Sequence, residues 1–293
     1  MSIYLTGSSG FVGENIVTYF AEQLAITNFT RGSAINIQED IVIHLAGKAH
    51  DLKNVSSVAD YYLVNTDFTK NVYDAFLSSD AKVFIFLSSV KAVADEVKEE
   101  LTEDFISNPV THYGKSKLLA EQYILSKSVP IGKRVYILRP CMIHGPGNKG
   151  NLNLLYKIVS KGFPWPLGKF ENKRSLCSID NLCFIIKELI ENDQIQPGVY
   201  NIADDEPIST NEIIKLISEI QGKKSFIWNT PKILIIKLSK LGDLFRLPLN
   251  SERLKKLTET YIVSNKKIKQ ALNKSLPINS IDGLMKTFKS FNH

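Results

Sequence analysis

The stretch TGSSGFVG, residues 6–13, follows a short apolar run, SIYLT at 2–6, and opens an amphipathic segment that continues to about residue 24. A glycine-rich turn between a strand and a helix serves a defined purpose. Gly7 permits the sharp turn, Gly10 lets backbone approach a pyrophosphate, and Gly13 lets helix and strand pack closely, while the helix N-terminus faces the anion. Glycine turns without a ligand are common, so the flanking strand and helix give the pattern its weight. The reading is a β–turn–α unit at the start of a dinucleotide-binding fold.

Outward from this turn, apolar runs alternate with helical patterns. Strands are expected at 2–6, 25–29, 41–46, 82–88 and 133–139, with helices at about 11–24, 57–79 and 111–128. The 57–79 helix carries Tyr61, Val64, Phe68, Val72 and Phe76 on one apolar stripe. Strand–helix alternation of this kind makes a parallel sheet covered on both faces. After about residue 150, glycine and proline punctuate GPGNKGN (145–151) and KGFPWPLGKF (161–170). Helices are expected at 151–161, 180–192, 209–221 and 231–243, and GVYNIAD (198–204) reads as one more buried strand. The fold class is therefore α/β, a Rossmann doubly wound parallel sheet with a smaller, mostly helical substrate-binding domain. The division expected is 1–150 for NAD(P), with 176–203 returning to it, and 151–293 for the substrate.

Composition narrows the function. The chain has 293 residues, 44% hydrophobic and 23% charged, as in a globular enzyme-sized protein. Its three cysteines, Cys141, Cys177 and Cys183, form no CxxC pair, which fits a reducing cytoplasm and offers neither a disulfide framework nor a zinc site. His44, His50, His112 and His144 lack metal-ligand spacing and read as strand or loop histidines, so no metal is expected. The N-terminus shows no signal-peptide pattern, and no apolar run is long enough to span a membrane. Net charge is +6, but the basic residues are scattered and no nucleic-acid reader motif appears. A small phosphorylated ligand suits that charge better.

THYGKSK (111–117) places Tyr113 and Lys117 at i and i+4, one turn apart on a helix face. In isolation the pair describes a solvated face equally well. FIFLSSVKAV, however, puts Ser88 and Ser89 at the carboxyl end of a sheet strand, where ligands of open α/β sheets bind. A tyrosine is too basic for easy proton exchange at neutral pH, and a neighbouring ammonium is expected to lower its pKa. Ser89 would then polarise the same substrate oxygen that Tyr113 protonates. At the end of the second strand, Phe29-Thr30-Arg31 offers no carboxylate for the adenine ribose. Arg31 instead suits a 2′-phosphate, favouring NADP(H), with NAD(H) the alternative.

Taken together, TGSSGFVG, HLAG, the FLSS strand end and YGKSK resemble the extended short-chain dehydrogenases/reductases, the family of nucleotide-sugar epimerases, dehydratases and 4-ketoreductases. The resemblance implies that Gly7, Gly10, Phe11, Val12 and Gly13 bind pyrophosphate. It further implies that Leu45, Ala46, Gly47 and Lys48 line the cofactor, joined by Asn65, Ser88, Tyr113, Lys117, Pro140 and Ile143. Ser89, Tyr113 and Lys117 would be catalytic. RPCMIHGPGNKGNLNLL, GFPWPLGKFENKRSL and SIDNL look most like a UDP-glucose 4-epimerase-like subgroup, which implies substrate contacts from Asn151 and Arg174. Arg253 is the candidate for the family's second diphosphate contact, whose usual motif has no clear counterpart here. Cys141 and Met142 shape the pocket, and Phe163-Pro164-Trp165-Pro166 is a candidate cover. A homodimer through the helices near 57–79 and 111–128 is also implied.

In the family's 4,6-dehydratases, the strand-end hydroxyl residue is followed by Asp and Glu. Here Val90 and Lys91 follow Ser89, so elimination of water lacks its acid and base. The expected function is NADPH-dependent reduction of a nucleotide-linked (dTDP or UDP) 4-keto-6-deoxyhexose for polysaccharide synthesis. The alternatives are a 4-epimerase of a UDP-hexose or UDP-N-acetylhexosamine with retained NAD, and a non-catalytic dinucleotide-binding protein.

Overall fold

The computed structural model describes residues 1–48, 57–148, 150–245 and 250–292; His50 lies outside them. Six parallel strands form one sheet: β1 (Ser2–Thr6), β2 (Ala25–Asn28), β3 (Ile41–His44), β4 (Val83–Leu87), β5 (Arg134–Pro140) and β8 (Gly198–Ile202). Their spatial order is β2-β1-β3-β4-β5-β8. A second, two-stranded parallel pair joins β6 (Met142–His144) to β7 (Leu176–Ser178).

The central strands are apolar throughout because both sheet faces are covered. Successive side chains point to opposite sides. Val83, Ile85 and Leu87 meet Ile16 and Phe20 of α1 (Phe11–Phe20) and Ile185, Ile186 and Leu189 of α6 (Ile179–Glu191). Phe84 and Phe86 meet Val72, Tyr73 and Phe76 of α3 (Phe68–Ser78) and Ala120 and Ile124 of α4 (His112–Ser126). A separate core joins α5 (Asn151–Ser160), α7 (Thr210–Ile220) and α11 (Ser280–Lys289) through Leu155, Tyr156, Ile213, Ile217, Leu284 and Phe288. Around it lie α8 (Lys232–Phe245) and α9 (Ser251–Thr258), while α10 (Lys266–Leu272) packs on β8.

The structure departs from the sequence expectations in specific places. The single helix expected over 57–79 is α2 (Val58–Tyr62), a π-helical turn (Leu63–Asp67) and then α3. The wider turn carries Asn65 and Thr66 inward, and both are buried. Of the expected stripe, Tyr61, Val72 and Phe76 are buried and Val64 and Phe68 half-buried; the stripe omitted Tyr73, which is fully buried. The helix expected to reach residue 24 ends at Phe20, and its last residues close turns onto the Phe20 carbonyl. β6, β7, α9, α10 and α11 were not anticipated.

Behind the carboxyl ends of β4 and β5 sits a buried ion pair. Arg139 donates to both oxygens of Glu121, from Nε at 3.1 Å to each and from Nη2 at 2.6 Å to Oε2. Glu121 is 1% exposed and Arg139 7%. Breaking such a pair on one side strands a charge in the interior, at about 3–5 kcal/mol. Arg139→Met is therefore expected to destabilise by about that amount in urea unfolding, and Glu121→Leu/Arg139→Met by much less. A loss below about 1 kcal/mol for Arg139→Met would show that water reaches Glu121.

Candidate active site

The strand order reverses between β1 and β3, and the crevice of an open α/β sheet lies at such a point, beyond the strands' carboxyl ends. Gly7 has φ +77°, in the left-handed region, and a Cβ there would lie 2.7 Å from the Ala46 amide nitrogen. The loops after β1 and β3 thus touch at a position only glycine can occupy. A Cβ on Gly13 would fall 2.2 Å from the Gly7 carbonyl oxygen, which makes α1 approach its own turn. At Gly10 a Cβ would meet nothing closer than 3.5 Å, so the space in front of that residue is open. No side chain caps α1, which leaves first-turn amides, those of Phe11, Val12 and Gly13, available to an anion. An open cradle rimmed by amides fits the pyrophosphate of a dinucleotide.

A chain of buried hydrogen bonds fixes the loop after β3. The Thr69 hydroxyl donates to the Asn65 carbonyl at 2.8 Å, so it accepts from His44 Nε2 at 2.9 Å. His44 Nδ1 then accepts from the Thr6 hydroxyl at 2.6 Å, whose oxygen accepts the Ala46 amide at 3.2 Å. Every donor and acceptor is used once, and the tautomer follows from the network. Burial, with Lys117 adding to it, lowers the His44 pKa to about 3, so the ring is neutral. Asn65 clamps the next residues: its Oδ1 accepts the Lys48 amide at 2.7 Å and its Nδ2 donates to the Lys48 carbonyl at 3.1 Å. Gly47 lies so close that a Cβ would come within 3.0 Å of Lys117 Nζ. The Lys48 ammonium itself turns to Asp60, 2.7 Å away.

The three residues of greatest chemical interest, Ser89, Tyr113 and Lys117, are brought together by the end of β4 and by α4. Thr111 caps α4, accepting the Gly114 amide at 3.2 Å, and Asp95 receives the Val110 and Thr111 amides at 2.6 and 3.1 Å. The glycine between Tyr113 and Lys117 has a spatial reason: a Cβ on Gly114 would lie 2.3 Å from the Lys91 carbonyl oxygen, in the turn that follows Ser89. That contact presses α4 onto the strand end, and the Ser89 hydroxyl hydrogen-bonds the Tyr113 phenol. Tyr61 meets the Tyr113 ring edge to face at 6.5 Å. Lys117 Nζ donates to the Leu87 carbonyl at 2.8 Å and lies 4.7 Å from the Phe86 ring centroid. Burial lowers the Lys117 pKa to about 8, opposed by Glu121. Tyr113 is raised, not lowered: burial pushes it up, and the Ser89 hydrogen bond offsets only part of that. In the chain alone, the expected lowering of Tyr113 by the lysine is therefore absent.

The other candidates take varied positions. The Ser88 hydroxyl donates a short hydrogen bond to Glu121, and its amide bonds the Leu138 carbonyl at 2.7 Å. Pro140 ends β5 and Ile143 lies in β6. Arg31 is exposed on the turn after β2, and among the described residues its guanidinium has no partner. Arg174 donates to the Lys256 carbonyl at 2.7 Å and to Glu259 at 3.1 Å. Asn151 begins α5 and Arg253 lies on α9, both exposed. Sequence reasoning missed Glu121, although YGKSKLLAE places it four residues beyond Lys117 on the same helix face. It noted Lys91 only as a missing carboxylate. Lys91 is half-buried, 4.2 Å from the Tyr261 ring centroid, donates to the Asp95 carbonyl at 2.7 Å, and has its pKa lowered by burial.

Comparison with known proteins agrees with this geometry. Residues 3–203 match the model of the NAD dependent epimerase/dehydratase family. A UDP-glucose 4-epimerase of Vibrio cholerae is 31% identical over 320 aligned positions, 99% of this chain and 95% of that protein. A UDP-2-acetamido-2,6-beta-L-arabino-hexul-4-ose reductase of Pseudomonas aeruginosa is 27% identical over 76% of this chain and 59% of its own length. Among solved structures, UDP-N-acetylglucosamine 4-epimerase from Bacillus cereus superimposes with a TM-score of 0.77 at 18% identity, covering 100% of both chains. The family model over residues 3–203 and the 31% identical relative show that the chain belongs to the NAD dependent epimerase/dehydratase family.

Proposed function

We propose that this chain is a cytoplasmic NADPH-dependent reductase of the 4-keto group of a nucleotide-linked 6-deoxyhexose, working toward polysaccharide. The observation that carries the reading is a buried Tyr113 phenol hydrogen-bonded to Ser89, with no carboxylate in the two positions after Ser89. A reduction needs an acid at the carbonyl oxygen; dehydration needs an additional acid and base that this strand end lacks. A nicotinamide dinucleotide held with its pyrophosphate along Gly7–Gly13 and the rest near Gly47 and Lys117 would supply the hydride. Tyr113 donates its phenolic proton to the substrate oxygen, Ser89 donates a hydrogen bond to that oxygen, and Lys117 holds positive charge beneath both. Residues 1–150, with 176–203, would bind the dinucleotide, and 151–293 the nucleotide sugar, with Asn151, Arg174 and Arg253 toward its diphosphate. Exposed Val58, Leu63, Leu119 and Leu125 on α2, the π turn and α4 suit a homodimer there.

A second reading, 4-epimerisation of a UDP-sugar with retained NAD, is favoured by the 31% identical relative. Arg31 supports the first, because an unpaired guanidinium beyond β2 suits a 2′-phosphate.

Incubation with NADPH and nucleotide 4-keto-6-deoxyhexoses should consume NADPH. Turnover of UDP-sugars without net cofactor change would instead establish the epimerase. Tyr113→Phe should lower kcat/KM about 10²–10⁴-fold while dinucleotide affinity, read by fluorescence titration, is kept. Dinucleotide binding by the unaltered chain with turnover of neither substrate set would mark a non-catalytic binder.

Arg31→Asp should raise the KM for NADPH by about tenfold or more and leave that for NADH little changed, since a charge-assisted pair is worth roughly 1.5–3 kcal/mol. An unchanged NADPH/NADH ratio would remove Arg31 from cofactor choice.

The pH profile follows from Lys117. The side chain is an ammonium below about 8 and neutral above it, so reduction should fall as pH rises through that value. Lys117→Arg, which keeps its charge, should extend the plateau to higher pH; an identical alkaline limb in both proteins would assign it to another group.

A further inference from the structure

Most helices here bury one stripe, but α8 buries only Ile235, Ser239 and Gly242 of its fourteen residues. With successive residues about 100° apart, these three fall on one narrow stripe, and Ile233, Leu234, Leu238, Leu241, Leu244 and Phe245 occupy an opposing arc about 140° wide. Ile233, Leu244 and Phe245 are 70, 73 and 66% exposed. Leading directly into α8, Phe226 and Trp228 are each 58% exposed, because the bridge between Trp165 and Ile227 turns the residue between them inward. Large apolar side chains exposed along one helix face and just before it in sequence call for a covering.

We infer that the outward face of α8, with Phe226 and Trp228 beside it, docks the protein on an anionic phospholipid bilayer surface. Charge selects this occupant. From Lys223 to Phe245 the one carboxylate is Asp243; Lys223 donates to the Ser160 carbonyl at 2.9 Å and Lys232 lies 5.7 Å from the Phe170 ring centroid, which leaves Lys224, Lys237 and Lys240 for the outward side. Asp243 is turned to the start of α9, where it accepts the Ser251 amide at 2.9 Å and hydroxyl at 2.5 Å. Lys237 falls inside the apolar arc and Lys240 at its edge. Against a bilayer, such lysines extend to lipid phosphates while their methylenes stay apolar. Against a second copy of this face, Lys237 would be buried without a carboxylate, at a cost that disfavours self-association. Fourteen residues make a helix of about 21 Å, shorter than the roughly 30 Å hydrocarbon core, so α8 would lie in the interface and not cross it. Tryptophan beside the helix suits the headgroup level. α9 packs against α8 and supplies the Lys256 carbonyl that holds Arg174, so docking would set the proposed substrate region close to the membrane. This location goes beyond the reaction proposed above and does not depend on it.

Co-sedimentation of the full chain with phosphatidylglycerol/phosphatidylethanolamine vesicles and with pure phosphatidylcholine vesicles tests it. The protein should pellet with the anionic vesicles, less at high salt, and remain in the supernatant with phosphatidylcholine. Leu234→Glu/Leu241→Glu should reduce the bound fraction about tenfold or more, and Lys237→Glu/Lys240→Glu should reduce it at low salt. Circular dichroism and dinucleotide binding would confirm that both variants are folded. Three results would overturn the inference: no pelleting of the unaltered chain, equal pelleting of the α8 variants, or a fall in molecular mass in light scattering on altering α8, which would mean that a second copy covers the face.

Discussion

The carboxylate of Glu121 sets the position of everything chemical in this protein. Tyr113, Lys117 and Glu121 fall at i, i+4 and i+8 of α4, on one face of the helix. Glu121 is tied to Arg139 of β5 and Ser88 at the end of β4, so one buried group fixes α4 in rotation and in register against two strands. The stability gained by such a pair is offset by its desolvation, and apolar packing of equal volume would hold the helix as firmly. What apolar packing lacks is the direction of charge-assisted hydrogen bonds, which orient α4 toward the strand end where Ser89 meets the phenol. The ion pair also sits one turn from Lys117, where its negative charge keeps a buried ammonium from losing still more of its basicity.

The opposite wall depends on neutrality. His44 could not serve if charged: its two nitrogens must donate to Thr69 and accept from Thr6 for the chain of bonds to close. Burial guarantees that state. The π turn belongs to the same device, since an ordinary helix would leave Asn65 away from both Lys48 and Ser116, which it reaches at 2.7 and 2.9 Å. Ser116 in turn donates to the Tyr113 carbonyl at 2.8 Å, so the loop after β3 and the start of α4 are cross-linked through one asparagine.

These two walls explain what could be read in the sequence. The glycine turn, the apolar runs and YGKSK were legible because each rests on local chemistry: positive φ, continuously apolar strands set between helical patterns, i to i+4 spacing. The π turn was not, because LVNTD satisfies an ordinary helical pattern and only tertiary bonds from Asn65 and Thr66 widen it. Glu121 was hidden for a similar reason; one glutamate in an amphipathic helix looks solvated until its partner, Arg139, is known from a strand 18 residues on. β6 and β7 are three residues each, below what periodicity resolves; α9 and α11 are set by caps at Asn250 and Asn279, and α10 has only seven residues and no side-chain cap. The glycine of YGKSK was visible, but its cause, the Lys91 carbonyl lying where a Cβ would be, is a contact between segments.

Lys91 also decides how Tyr113 is used. Its ammonium is directed away from the phenol, toward the Asp95 carbonyl and the Tyr261 ring, with Glu259 and Asp95 opposing the lowering that burial causes. A carboxylate in its place would add a negative charge beside Ser89 and raise the phenol further, while supplying a base for elimination. The lysine does neither. In the proposed reduction Tyr113 would be the proton donor at this strand end, its pKa raised by burial and partly offset by the Ser89 hydrogen bond. An enzyme built to remove a proton from a sugar hydroxyl would need the opposite bias, a phenolate stabilised before substrate arrives, and in the chain alone burial works against that state. In the reductase proposed above, packing around Tyr113 would bias the direction of proton transfer together with the lysine one turn away.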